Sequence, residues 1–261
     1  MDKEELTFRK YLAEGGTIHF HGSSQTCQDC MDFLSQSRII FRNAPDFVAQ
    51  GEKKTIIIEH FEFDCYPVNK KGSQNQQEQA RIDRKRKSLP IPKKGLVYQD
   101  TIQGQSSYED YVKNLTRNFN SHYKKIETYK QNLLKDGLID SETEVKVAFL
   151  IEDTSPLPCS YIDHSSGRPK MDLIDLAHSP EFLELFEQSP NVDFIISCST
   201  TGKENWVWLI DRTQLPAYQE NSIDYKNEEF IPWKPHVVGT AYSFTDEELQ
   251  QIAQSKQNQG E

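Results

Sequence analysis

Three short, almost unbroken apolar runs constrain this chain more than any other feature. Residues 55–63 (TIIIEHFEF), 145–151 (VKVAFLI) and 192–197 (VDFIIS) each have the length of a strand. Ile56, Ile57 and Ile58 follow one another, so both side-chain directions of the first run are apolar. Such a strand must be covered on both faces, as happens when helices flank a sheet. Between the first two runs, Tyr108, Tyr111, Leu115, Phe119, His122, Ile126, Tyr129 and Leu133 recur every three or four residues. That spacing predicts one long helix over 108–134 with a single buried stripe. Ser106 or Ser107 can cap its start, and Gly137 lies just past its end. Before the third run, Ser179-Pro180-Glu181 opens a helix through Phe182, Leu183, Leu185 and Phe186. Strand, helix, strand, helix, strand is a crossover order, and it predicts an α/β fold with a mixed sheet flanked by helices.

Shorter elements fill in the rest. Residues 3–13 read as a helix with Phe8, Tyr11 and Leu12 on one face, stopped by Gly15-Gly16. Residues 17–20 and 38–41 read as strands, and 29–34 as one or two helical turns. Residues 205–210 (NWVWLI) are expected to pair antiparallel to the third run, and 246–254 to form a terminal helix. The stretch 67–107 is different: it is polar, rich in Gln, and carries Arg81, Arg84, Lys85, Arg86 and Lys87. It is expected to be a mobile or partly helical insertion in a single domain spanning 1–261.

Forty acids against thirty bases give a net charge of -10, which counts against a generic nucleic-acid binder. An acidic enzyme can still line one groove with bases, and the 81–87 cluster is the candidate for it. The five cysteines (Cys27, Cys30, Cys65, Cys159, Cys198) are scattered and odd in number, unlike a secreted disulfide framework. No apolar run reaches the length of a membrane span, and MDKEELTFRK lacks a signal-peptide core. The expected setting is a reducing cytoplasm, with no membrane partner.

The chemistry is concentrated between residues 45 and 64. Pro45-Asp46 precedes one strand of an expected hairpin, a polar turn follows at 51–54, and the next strand ends IIIEHFEFD. Asp46, Glu59, Glu62 and Asp64 then lie on neighbouring strands about 4.8 Å apart, within reach of one hard cation. This arrangement resembles the PD-(D/E)XK nuclease superfamily, whose members place an Asp before a short hairpin and an acid-X-Lys on the next strand. A helix then leads to another buried strand. The resemblance implies a restriction-endonuclease-like core, Mg²⁺ or Mn²⁺ as cofactor, and hydrolysis of nucleic-acid phosphodiesters.

Two registers fit. In one, Asp46 pairs with Glu59-His60-Phe61, and Phe61 stands in the lysine position. In the other, Glu62-Phe63-Asp64 is the acidic element. Alternation puts Glu59, Phe61 and Phe63 on one face and His60, Glu62 and Asp64 on the other. Neither register supplies the lysine, which in the family helps activate water and stabilise phosphate charge. Lys125 and Lys130 flank the stripe of the 108–134 helix and are the candidates to replace it, Lys125 with Asp46, Glu59 and Glu62 as the catalytic set. The metal set is Asp46, Glu59, Glu62 and Asp64.

Other signals are weaker. Cys27 and Cys30 form one C-x-x-C, and His19 and His21 would be needed to complete a zinc site; two ordinary core cysteines are the alternative. Trp206 and Trp208 alternate on a strand and share a face, either for packing or as a stacking platform. There is no G-x-S-x-G and no glycine-rich phosphate loop. The second functional reading is a non-catalytic protein-binding or assembly factor that keeps the fold, favoured by the missing lysine and the acidic charge.

Overall fold

The computed structural model describes residues 3–13, 17–20, 25–70, 72–88, 96–102, 105–155, 159–164, 167–201, 204–231 and 236–242. Contacts divide the chain into two compact units, one of residues 1–65 and 108–231, the other of 66–107 and 232–261. Where the sequence reads as one domain with an insertion, the inserted stretch thus groups with the C-terminal residues.

The first unit is α/β, built on a seven-stranded mixed sheet. In chain order its strands are β1 (Thr17–Phe20), β2 (Arg38–Phe41), β3 (Phe47–Gln50), β4 (Lys54–Phe63), β5 (Glu144–Asp153), β6 (Phe194–Thr201) and β7 (Glu204–Asp211). Across the sheet they run β1-β7-β6-β5-β4-β3-β2. The centre is parallel, with β4 beside β5 and β5 beside β6, while β2, β3 and β4 form an antiparallel meander. The expected antiparallel pairing of 205–210 is present as β7 against β6.

The central strands are apolar because both faces are covered. Ile56 and Ile58 turn to one side, where they join Ala148, Leu150, Ile196, Val207 and Leu209 in a core with Phe8, Tyr11 and Leu34. That side is closed by α1 (Lys3–Phe8), continued by a π turn at Arg9–Ala13, and by α2 (Gln25–Gln36). Helix α2 is twice the length that the sequence suggested, and Cys27, Cys30 and Leu34 form its buried face. On the other side Phe61, Phe63 and Phe149 pack edge-on to Phe119 and Tyr111. Each such fully buried Phe or Ile contributes roughly 1.5–3 kcal/mol of transfer free energy.

The single long helix expected over 108–134 is two: α3 (Tyr108–Tyr123) and α4 (Ile126–Lys135). The break tightens at Lys125, whose N–H bonds His122 O at 3.0 Å, one residue short of the α-helical step. The buried stripe nevertheless continues through Tyr108, Tyr111, Leu115, Phe119, Ile126, Tyr129 and Leu133. Gly137 takes the positive φ of 67° expected after the helix end. Ser179 caps α5 (Pro180–Glu187), accepting from Phe182 N–H, with Pro180 in the first turn as read from the sequence.

The second unit is described by itself. Stretch 67–107 is not a bare loop: it contains a small hairpin at Val68–Asn69 and Gly72–Ser73, a helix Gln74–Ser88 and a strand Leu96–Ile102. That strand pairs antiparallel with His236–Tyr242. The helix fits the partly helical alternative for this stretch, but it has almost no apolar face from which the sequence pattern could give its bounds. Residues 89–95 and the predicted terminal helix at 246–254 lie outside the described residues. Among the described residues, no helix is long and apolar enough to cross a membrane.

Candidate metal centre

Alternation along β4 distributes the predicted acids to two sides of the sheet. On the α3 side, Glu59 is 3% exposed, and its Oε1 accepts from Tyr129 O–H at 2.5 Å and meets His122 Nδ1 at 2.6 Å. Its Oε2 is buried with no hydrogen-bond partner among the described residues. Burial first, then the hydrogen bond to Glu59 and the charges of Glu59 and Asp46, push the Tyr129 phenol well above its ordinary pKa, so Asp46 and Glu59 act on the same hydroxyl. Asp46 Oδ2 accepts the backbone N–H of His60 at 2.7 Å, which ties the start of the hairpin to the middle of β4. Phe61, in the lysine position of the first register, is buried and stacked on His122 with ring centroids 5.0 Å apart. Lys125 is exposed, and Lys130 lies 3.4 Å from Glu127. This face therefore holds Glu59 in a packed interior network, with the half-buried Asp46 acting on it through the charge felt by Tyr129.

The opposite face carries the more open cluster. Ile56 and Ile58 give way to His60 and Glu62 toward the carboxyl end of β4, and on β5 Ala148 and Leu150 give way to Glu152. Parallel pairing sets Glu62 directly beside Glu152. One ligand atom from each of His60, Glu62 and Glu152 lies within 4.8 Å of the other two. Asp64 falls beyond the strand and is not in this group. It is buried, and its charge acts on Asp153: burial first, then Asp64 and Glu152, push that carboxyl up to about 6 despite hydrogen bonds from Ser155. Of the four predicted metal ligands, the structure thus keeps Asp46 and Glu59 together and sends Glu62 elsewhere.

The π turn that continues α1 supplies Lys10 and Tyr11 to the cluster. Glu152 Oε1 accepts from Lys10 Nζ at 3.0 Å and from Tyr11 O–H at 2.8 Å, while Lys10 Nζ also lies 2.8 Å from Tyr11 Oη. Tyr11 Oη is 3.0 Å from Thr200 Oγ1, and Asn205 Nδ2 donates to Lys10 O at 3.1 Å. Burial alone would raise the Glu152 carboxyl, but hydrogen bonds from His60, Tyr11 and Lys10 outweigh it and hold it down at about 2. Glu152 is therefore ionised at any ordinary pH.

The donor set suits a divalent ion. His60 Nε2 is buried and faces Glu152 Oε2 at 3.4 Å. An imidazole nitrogen within reach of two carboxylates can join them in holding an ion. One nitrogen and two carboxylates favour Mn²⁺, Zn²⁺ or Fe²⁺ over Mg²⁺, which prefers oxygen alone. Tyr11 and Lys10, both bonded to Glu152, fix the direction of that carboxylate.

Sequence reasoning found Glu62 and put His60 on its face, but missed Glu152, Lys10 and Tyr11. The signal for Glu152 was present: FLIED repeats the pattern of IIIEHFE, a buried run ending in acids. For the zinc alternative, Cys27 and Cys30 face the core beside α1, whereas His19 stacks on Trp206 and Trp208 across the sheet. His21 lies outside the described residues, and the five cysteines form no disulfide. Compared with known proteins, the chain matches no family model, no curated protein and no solved structure.

Proposed function

We propose that this chain is a divalent-metal-dependent hydrolase of nucleic-acid phosphodiesters, a divergent relative of the PD-(D/E)XK nucleases. The observation that carries the reading is the convergence of His60, Glu62 and Glu152 at the carboxyl ends of two parallel strands, with Lys10 3.0 Å from Glu152. In open α/β sheets that edge is where ligands bind. The restriction-endonuclease-like assignment is supported by element order: a strand, Asp46, the β3–β4 hairpin, helices α3 and α4, then β5 parallel to β4. The departure is that the proposed ligands lie on the second face of β4, with the lysine coming from the N-terminal helix.

His60, Glu62 and Glu152 would hold the ion, which when bound supplies charge to offset a phosphate and to make a water more acidic. Lys10, its side chain 38% exposed, can meet a phosphate oxygen while remaining beside Glu152. Tyr11 and Thr200 hold Glu152 in one orientation, and Glu62, half-buried, stands at the mouth of the site. Backbone phosphates are assigned to the basic helix of the second unit, where Arg81, Arg84 and Lys85 lie; the side chains of Arg86 and Lys87 are not described.

The non-catalytic alternative is favoured by one observation, the buried Phe61 where the family has its lysine. Incubating the protein with labelled single-stranded DNA, duplex DNA and RNA, with and without Mn²⁺, separates the two. The hydrolase reading predicts Mn²⁺-dependent cleavage of at least one substrate, reduced about a hundredfold or more in Glu152→Gln and less in Lys10→Ala. A folded, Mn²⁺-loaded protein that cuts none of the three contradicts it and leaves the binding role.

A further inference from the structure

On the α3 side of the sheet, away from the His60 cluster, the first unit contains a cavity of about 520 Å³. Its origin is readable in the strands. On β6 the residues facing this side near the carboxyl end are Ser197 and Ser199, while β7 presents Trp208 and Trp206 beside them. Small side chains next to indoles leave a hollow, with Asp153 of β5 paired to Ser199 at its other side. Tyr161 and Tyr225, packed edge-to-face with ring centroids 4.8 Å apart, form part of the opposite wall.

Acids dominate the lining of this cavity. Asp153, Asp163, Asp172 and Asp175 all line it beside His178, and among the described residues no lysine or arginine does. Lys170 is exposed and its Nζ lies 3.0 Å from Asp172 Oδ2, so the chain itself places an ammonium against one of these acids. Aromatic faces and carboxylates together attract organic cations: the rings through their quadrupole, the acids through charge-assisted hydrogen bonds. The same acids repel phosphates, which separates this cavity from a phosphodiester site. Its volume lies in the range of small-molecule pockets.

We propose that this cavity binds a small organic cation bearing ammonium or guanidinium groups. The inference is independent of the metal-centre reading, since no residue of that cluster lines the cavity.

The test is calorimetric titration of the full chain with spermidine and with agmatine, and with 1,6-hexanediol as an uncharged probe of similar length. The proposal predicts saturable one-to-one binding of at least one cation and none of the diol. It predicts affinity lowered roughly tenfold or more by Asp163→Asn combined with Asp172→Asn, and also by Trp206→Ala. Glu142→Gln, at an exposed acid elsewhere, controls for the acidic surface and is expected to bind as the parent does. Circular dichroism checks that each variant folds; should the double variant fail, Asp172→Asn alone is read. Absence of saturable binding by both cations, or equal affinity in parent and cavity variants, overturns the proposal.

Discussion

Lys10 and Tyr11 are neighbours in sequence, yet both end on the same Glu152 oxygen, leaving the other oxygen toward His60. Removing the Tyr11 hydroxyl keeps the ring in the core but releases that carboxylate. Tyr11→Phe is therefore expected to keep the fold and weaken Mn²⁺ binding by about tenfold or more, as losses of outer contacts do; calorimetry beside thermal melting reads both. A second carboxylate makes a prediction about pH. Burial raises Glu181, but hydrogen bonds from Tyr108 (2.7 Å) and Lys226 (2.9 Å) outweigh it and hold it below the usual carboxyl range. A lowered folded-state pKa stabilises above the ordinary value, and that contribution is lost as pH falls through the lowered one. Melting temperature against pH should thus show a shallower acid limb in Glu181→Gln, with parent and variant converging at the lowest pH. Curves that run parallel throughout would contradict it. At this scale the faces of β4 were legible, because alternation alone separates Glu59 from His60 and Glu62. Glu152 and Lys10 were not, since nothing local in a sequence says which strand lies beside which, or where an N-terminal helix lands.

Elements that bury a regular stripe were legible, including β2, β4, the cap of α5 and the β6–β7 pair. The break between α3 and α4 was hidden because the stripe keeps its three-and-four spacing across it. Bending there carries His122 and Tyr129, from two helices, to one Glu59 oxygen. The bounds of the polar helix Gln74–Ser88, in a stretch expected to be mobile or partly helical, were hidden for the opposite reason: it has almost no apolar periodicity to read. Another device is clear only in three dimensions. The guanidinium of Arg212 donates to the carbonyls of Phe186, Ser189 and Val192 and lies 4.1 Å from the Phe186 ring centroid. It closes the end of α5 and the turn into β6, satisfying carbonyls that a helix end leaves open. Arg212→Ala should cost about 2–3 kcal/mol in chemical denaturation, because three acceptors lose a charged donor at once. A loss below about 0.5 kcal/mol would mean that water replaces it.

For the whole molecule, the sheet decides where chemistry can sit. Central parallel strands bury their middles, so polar groups gather at the carboxyl ends, where His60, Glu62 and Glu152 meet. The net charge of -10 is then no obstacle to a phosphate substrate, provided that a bound cation and Lys10 supply local positive charge. Everything proposed about hydrolysis rests on that ion. The most direct test is calorimetric titration of the metal-stripped full chain with Mn²⁺, beside Glu152→Gln and His60→Ala, with folding checked by circular dichroism. The account predicts saturable binding near one ion per chain that both variants weaken by about tenfold or more. No binding by the parent, or binding that both folded variants retain unchanged, would contradict it.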